Sequence, residues 1–327
     1  MKELENIKVA VLLATYNGEP FVAAQIASLR ENKTTFDLHW IDDHSTDGTR
    51  QIVCAAAVES AIPLRQWHRS QHLGVPGTFF WLLECVEADV YLFCDQDDIW
   101  QPGKIDAAVE SLLPDLSKPA LCFSDYWVFR EGAPDVMYRS MEVLGTRAET
   151  ALEQSRLFTS AVADGHSQAF TRPLRDLFML HKEIAHSHAW MHDTWMYSIA
   201  VASGNVRMAR DVPTTLFRWH QKNTSSAVCS WTGRGVGHVS ITLRQQRRLR
   251  QAVARHARGF ILASSTLPAG QKLERGIEIA KLVATLDRRQ SLTALIRLIR
   301  NRTLWPVRRL ALGLMASCLF SRADQIA

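Results

Sequence analysis

The chain predicts an α/β protein: a Rossmann-like, mostly parallel sheet flanked by helices, with a basic helical extension at its C-terminus. Three observations carry this expectation. From Lys8 to about Tyr126 short apolar runs alternate with amphipathic stretches, the pattern of βαβ units on a parallel sheet. Polar clusters stand at the ends of three of those runs, where open α/β sheets bind ligands. From Ile241 onward the periodicity is helical throughout, with Arg interleaved among Leu, Ile and Ala. A length of 327 residues accommodates one large α/β domain with a helical appendage, and 47% hydrophobic residues supply its core.

The elements follow in order. Val9–Ala14 is a fully buried first strand, and Pro20 opens a helix that runs through Leu29 with Phe21, Ile26 and Leu29 at helical spacing. Leu38–Ile41 is a second strand, and Ser45 or Asp47 caps the next helix, to about Glu59. Ile62–Leu64 is a short third strand that Pro63 confines to an edge. A helix from Pro76 to Glu87 precedes the strand Val90–Cys94, and Pro102 starts another helix to about Leu113. Ala120–Phe129 reads as extended. Between Glu131 and Ser167 the pattern weakens, with a helix only around Ala151–Phe158. Helices after Pro173 and over Trp190–Ala202 follow, then short extended pieces over Val206–Arg218.

Charge divides the chain. The formal net charge is +5, yet after Trp231 only four residues are acidic, Glu274, Glu278, Asp287 and Asp324. The Ser- and Gly-rich stretch Ser225–Gly237 lies at the change, so a boundary is expected between 1–229 and 230–327. The six cysteines show no zinc-ligand or redox spacing, which fits a reducing, cytoplasmic compartment. Met1–Asn6 is charged and lacks the apolar core of a signal peptide, and no segment has the uninterrupted apolar length of a membrane span. The nearest, Leu304–Phe320, is broken by Pro306, Arg308 and Arg309.

The chemistry is expected at the strand ends: Thr15-Tyr16-Asn17-Gly18, Asp42-Asp43-His44-Ser45 and Asp95-Gln96-Asp97-Asp98. Neighbouring strands would bring the three clusters into one crevice. Three carboxylates within four residues repel one another unless protons or a cation compensate, and hard oxygen ligands suit Mg²⁺ or Mn²⁺ beside phosphate oxygens. The plainer alternative is that Asp97 and Asp98 cap the helix near Pro102. Thr15 and Asn17 equally suit ordinary turns.

The order Ala14-Thr15-Tyr16-Asn17-Gly18, Asp42-Asp43-x-Ser45-Thr46-Asp47-Gly48-Thr49 and Cys94-Asp95-Gln96-Asp97-Asp98-Ile99-Trp100-x-Pro102-x-Lys104 resembles the family 2 glycosyltransferases. The likeness is nearest to the branch containing rhamnosyltransferases of bacterial surface polysaccharides, and it covers residues 8–113 with weaker echoes to about 227. The resemblance implies a glycosyltransferase A-type fold over 1–229. It also implies inverting, metal-dependent transfer from a UDP- or dTDP-sugar to a hydroxyl of a glycan or lipid-linked oligosaccharide.

Carried over by residue, Thr15 and Tyr16 contact the base, with Asn17 beside them, and Asp42 or Asp43 accepts from base and ribose. Asp97 is the metal ligand, with Asp95 and Asp98 on sugar, ribose or metal-bound water, Asp95 as a second ligand, and Gln96 between them. Asp193, in His192-Asp193-Thr194-Trp195, stands where the family carries its catalytic base; it equally suits a helix cap. Gly165-His166-Ser167-Gln168-Ala169-Phe170-x-Arg172 resembles the acceptor-side segment. Phe217–Asn223 resembles a late loop in which Arg218, His220 or Lys222 meets the diphosphate. His44, His72 and Trp219 depart from residues usual in the family.

The arginine-bearing stretches Ile241–Ala263 and Ser291–Phe320, with Trp305, suit either peripheral docking on the inner face of a membrane or packing on the catalytic domain. No nucleic-acid partner is expected, since no such binding motif is present. Two other functions compete. A nucleotidyltransferase usually opens with a Gly-rich loop that Tyr16-Asn17-Gly18 does not supply. A non-catalytic basic adaptor would not depend on the acids.

Overall fold

Strand β1 (Val9–Thr15) lies at the heart of the protein, with Val9, Val11 and Leu13 facing one core layer and Ala10 and Leu12 the other. This two-residue alternation is that of a strand covered on both faces. Both neighbours are parallel, β2 (Asp37–Asp42) on one side and β4 (Val90–Cys94) on the other. Strand β3 (Leu64–Trp67) forms the edge beside β2. It begins two residues later than the expected Ile62, because Pro63 lacks an N–H; the Pro63 carbonyl instead accepts Leu38 N at 2.9 Å. On the far side β9 (Gln168–Thr171) runs antiparallel between β4 and β6 (Leu121–Phe123), and β10 (Val206–Met208) closes the order β10-β6-β9-β4-β1-β2-β3.

The computed structural model describes residues 7–140 and 163–284, apart from 204, 210, 211, 221, 222, 224–228, 233, 234, 239–242, 268 and 270. Helices α1 (Val22–Ser28), α2 (Thr49–Glu59), α3 (Gly74–Cys85) and α4 (Lys104–Leu112) connect the first strands as the periodicity predicts. Helices α5 (Arg172–Leu180), α6 (Lys182–His188) and α7 (His192–Ser203) follow β9; α6 was not foreseen. A second sheet has the order β5 (Ile99–Trp100), β11 (Thr215–Trp219), β7 (Trp127–Arg130), β8 (Ala133–Arg139).

The expected extended run Ala120–Phe129 is therefore two strands in two sheets. The chain turns at Ser124-Asp125-Tyr126, where the buried Asp125 carboxylate accepts Tyr126 N, Arg139 Nε and Ser140 Oγ at 2.9, 2.9 and 2.7 Å. Strands β12 (Cys229–Thr232) and β13 (Gly235–His238) pair within the Ser- and Gly-rich stretch where a boundary was expected. The helix expected at Ala151–Phe158, Lys222, and Ser291–Phe320 with Trp305 and Leu304 lie outside the described residues.

Helices α8 (Leu243–Ala263) and α9 (Gln271–Val283) form the described first part of the basic region. Ala254, Ala257, Phe260 and Ala263 are buried, and with Leu273, Ile279 and Val283 they join the core containing Phe79, Phe80, Phe178 and Trp195. These buried residues of the stretch pack on protein, while Leu262 is exposed. Among the described residues no helix is long and apolar enough to cross a membrane. Cys54, Cys85, Cys94 and Cys122 are free thiols.

His256 pins α8 to α7. Trp190 N donates to its Nδ1 at 3.1 Å, which leaves Nε2 as the protonated nitrogen facing Ser198 Oγ, also at 3.1 Å. Burial, then Arg255, pushes the imidazole from its usual 6.5 down to about 3. A folded value below the unfolded one gives stability that is complete above pH 6.5 and is lost as pH falls toward 3. At roughly 1.4 kcal/mol per pH unit, acidification to pH 5 should cost wild type about 2 kcal/mol more than His256→Gln. Urea unfolding of both proteins at the two pH values checks it.

Candidate active site

Because β4, β1 and β2 are adjacent and parallel, their carboxyl ends deliver the three polar clusters to one crevice. The first two clusters interlock. Thr15 Oγ1 donates to Asp42 Oδ1 at 2.9 Å and accepts Trp40 Nε1 at 3.0 Å. Thr15 is buried beneath Asp42. Asn17, at φ 49°, accepts Thr46 N on Oδ1 at 2.9 Å while its own N–H donates to Ser45 Oγ at 2.8 Å. His44 holds φ 70°, the left-handed region that Gly or Asn enters at least cost, so the backbone here suits the residues usual in the family and nothing in the structure explains the His.

Asp42 accepts Ser45 N at 2.9 Å with Arg50 at 4.0 Å, whereas Asp43 is turned onto Leu73 N and Gly74 N at 2.9 and 2.8 Å. Asp43 thereby fixes the start of α3. His72 Nδ1 lies 3.0 Å from Asp43 Oδ2, and its ring tilts against Tyr16 at 4.9 Å between centroids. Tyr16 is 49% exposed, a free aromatic face at the crevice mouth. Gln96 clamps it from the third cluster, accepting Tyr16 N at 2.9 Å and donating to Tyr16 O at 3.1 Å.

The acid triplet meets the end of β11. Asp97 Oδ2 is 2.8 Å from His220 Nε2 and 3.3 Å from Asn223 Nδ2. Arg218 donates from Nε to the Asp97 carbonyl at 3.0 Å and from its backbone N to Asp98 Oδ1 at 3.2 Å. Its guanidinium sits over the rings of Phe21 and Phe129 at 5.3 and 4.9 Å. Lys104, from the same motif, is buried; it donates to Thr215 Oγ1 at 2.7 Å and lies 4.8 Å from the Trp100 ring centroid. Burial pushes it down to about 8. It ties the helix after the triplet to the strand that carries Arg218.

The triplet is short of positive charge, which fits a divalent cation. Desolvation raises Asp95, followed by the charges of Asp97, Asp193 and Asp164; desolvation raises Asp98, followed by Asp97 and Asp95. Asp98 Oδ2 is buried with no hydrogen-bond donor among the described residues, and His166 Nδ1 lies 3.5 Å from it. One ligand atom each from Asp95, Asp98 and His166 lie within 4.8 Å of one another. Asp97 is not in that group, since its Oδ2 is turned to His220. His166 and Asn223 were visible only as members of quoted segments, and a lone His is usually structural.

Asp193 lies in the first turn of α7. Gly165 N donates to its Oδ2 at 3.0 Å and Thr194 N to its Oδ1 at 2.5 Å. Its charge contributes to raising Asp95 and Asp164, so Asp193 stands near the triplet. Sequence reasoning missed Asp164 and Tyr126, whose hydroxyl donates to Asp164 Oδ2. Burial, then Asp193, pushes Asp164 up to about 7. The only signal for Asp164 was its place immediately before Gly165-His166.

Gly165 leaves no room for a side chain. A Cβ there would stand 2.8 Å from His192 Nε2 and 3.5 Å from Asp193 Cβ. His192 cannot yield, being stacked on Phe79 at 4.1 Å and edge-on to Phe93 at 4.5 Å. Gly165→Ala should cost about 1–3 kcal/mol by urea unfolding and shift the Asp193 carboxylate, with a matching fall in kcat.

A Rossmann-like sheet whose strand ends gather acids beneath a late strand, with an antiparallel strand leading to a facing carboxylate, defines an A-type glycosyltransferase. The family model Glycosyl transferase family 2 matches residues 10–176. The chain belongs to glycosyl transferase family 2. It is similar to the dTDP-rhamnosyl transferase RfbG of Shigella flexneri, 25% identical over 229 residues, which are 67% of this chain and 75% of the relative. Protein RfbJ of Shigella flexneri is 26% identical over 33% of this chain and 78% of its own length. Among solved structures, S. aureus TarS 1-349 in complex with UDP-GlcNAc covers 97% of this chain and 92% of its own, at TM-score 0.56 and 13% identity. The mannosyltransferase PcManGT of Pyrobaculum calidifontis, in complex with GDP-Man and Mn²⁺, covers 97% and 87%, at TM-score 0.51 and 16% identity.

Proposed function

We propose that the protein is an inverting, divalent-metal-dependent glycosyltransferase of surface polysaccharide synthesis. It moves a sugar, rhamnose first among the candidates, from a UDP- or dTDP-sugar to a hydroxyl of a glycan or lipid-linked oligosaccharide. The observation that carries this is the meeting of three strand-end clusters on adjacent parallel strands, with Asp193 near enough to act on Asp95. The dTDP-rhamnosyl transferase relative supports the donor, and the Mn²⁺ complex of the mannosyltransferase supports the metal. Residues 1–229 carry the catalytic groups, and the basic region from 230 follows, its helices α8 and α9 packed on them.

In this scheme Tyr16 stacks on the base through its exposed face, and Asp42 and Asp43 each keep lone pairs for base and ribose donors. Asp97 and Asp95 would hold Mg²⁺ or Mn²⁺, with Asp98 and His166 offering ligand atoms beside Asp95. The bound cation supplies positive charge to the diphosphate leaving group. Arg218 adds charge from the wall. Asp193 takes the proton of the acceptor hydroxyl as its oxygen attacks the anomeric carbon. The bond from that carbon to the diphosphate oxygen breaks on the opposite face, and the nucleoside diphosphate departs with the electron pair.

The test is a thermal-shift screen of UDP, dTDP, GDP and CDP with and without Mn²⁺, followed by mass spectrometry of products from a panel of nucleotide sugars and lipid-linked acceptors. Metal-dependent stabilisation by UDP or dTDP is expected; stabilisation by no nucleotide rejects the proposal.

A further inference from the structure

Asp164 is a carboxylate on the acceptor side that the transfer scheme leaves without a role. It directly precedes Gly165, whose N–H holds Asp193 Oδ2 at 3.0 Å, so both carboxylates are set by one short backbone stretch. That stretch is rigid: the Asp164 carbonyl accepts Ser167 N and Ser167 Oγ, each at 2.8 Å. Tyr126 donates to Asp164 Oδ2, and its ring is wedged edge-on against His166 at 4.5 Å with Phe217 at 5.8 Å, so the hydroxyl is held in place.

Among the described residues Tyr126 is the only donor to this carboxylate, and no Lys, Arg or His pairs with it. Its charged neighbours are Asp193 and Asp95, both of like sign. A half-buried carboxylate among two others costs stability, and a ligand that brings hydrogen-bond donors relieves that cost. In the proposed scheme Asp193 meets the acceptor hydroxyl, and Asp164 directly precedes the residue whose N–H holds Asp193.

We propose that Asp164 is a specificity-determining residue that accepts a hydrogen bond from the hydroxyl next to the one Asp193 deprotonates. The acceptor is then a sugar bearing two adjacent free hydroxyls, one for each carboxylate. This rests on the glycosyl-transfer reading of the same cavity. A site built to bond a hydroxyl rejects analogues lacking it far better than an apolar site rejects extra bulk.

The probes are methyl α-L-rhamnopyranoside and its 2-deoxy and 3-deoxy counterparts, read by saturation-transfer NMR on the full chain with and without UDP or dTDP and Mn²⁺. Wild type should bind the intact glycoside about tenfold better than at least one deoxy counterpart. Asp164→Asn should lose that preference while its melting temperature shows a folded protein. Asp193→Asn should keep part of the preference while transfer is lost. Tyr126→Phe retains the carboxylate but loosens it, and should reduce the preference several-fold even if Asp164→Asn fails to fold. No preference in wild type, or a preference unchanged in Asp164→Asn or Tyr126→Phe, overturns the proposal. Loss of nucleotide stabilisation in wild type would instead indict the donor reading, because the glycoside preference is also measured without nucleotide.

Discussion

Asp193→Asn should lower turnover by about 10²–10⁴-fold while nucleotide and Mn²⁺ still raise the melting temperature as in wild type. The amide cannot take a proton from the acceptor hydroxyl, but it keeps the carboxylate's shape and one oxygen for Thr194 N or Gly165 N. The proposed donor subsite around Asp42, Tyr16 and the triplet keeps all its side chains in this variant. Removing the negative charge should also ease Asp95 and Asp164, whose carboxyls it helps to raise, so the unliganded variant is expected to be at least as stable as wild type. Steady-state kinetics with the transferred sugar, set beside thermal shifts with UDP or dTDP, separates the two effects. Turnover near that of wild type would place the base elsewhere, with Asp164 the first alternative.

The sheet was legible because its signals are local. Val9–Ala14 and Val90–Cys94 are uninterrupted apolar runs buried on both faces, and the proline-started helices between them follow a 3.6-residue period. The three clusters were legible because strand ends are where such sheets place polar residues. What stayed hidden depends on distant partners. The turn at Asp125 is set by Arg139 and Ser140, so Ala120–Phe129 reads as continuous although it joins two sheets. The α8 stripe Ala254, Ala257, Phe260 and Ala263 has the spacing of a membrane-surface helix and of a packed one alike; only its contact with the core around Trp195 decides. Asp164 carries no motif of its own, because its environment is made by Tyr126 and Asp193, 38 and 29 positions away. His220 was expected to meet phosphate, and its direct approach to Asp97 became visible only when β11 was placed beside β5.

Asp97→Asn should act with opposite sign on metal affinity and on the stability of the metal-free protein. Asp97 is the largest charge contribution, after desolvation, raising both Asp95 and Asp98, so neutralising it removes repulsion and should raise the melting temperature measured in EDTA. The same change takes away a hard, charged oxygen, and Mg²⁺ and Mn²⁺ depend on such ligands. The Mn²⁺ concentration giving half-maximal stabilisation by UDP or dTDP should therefore rise at least about tenfold, with turnover falling in parallel. A merely structural Asp97, needed only to hold His220 and Asn223 at 2.8 and 3.3 Å, predicts a different pair of results. Its loss would lower stability in EDTA and leave the Mn²⁺ titration where it was. Calorimetric Mn²⁺ titration in the presence of nucleotide, paired with melting in EDTA, distinguishes a cation held between the acids from a carboxylate that only braces the end of β11.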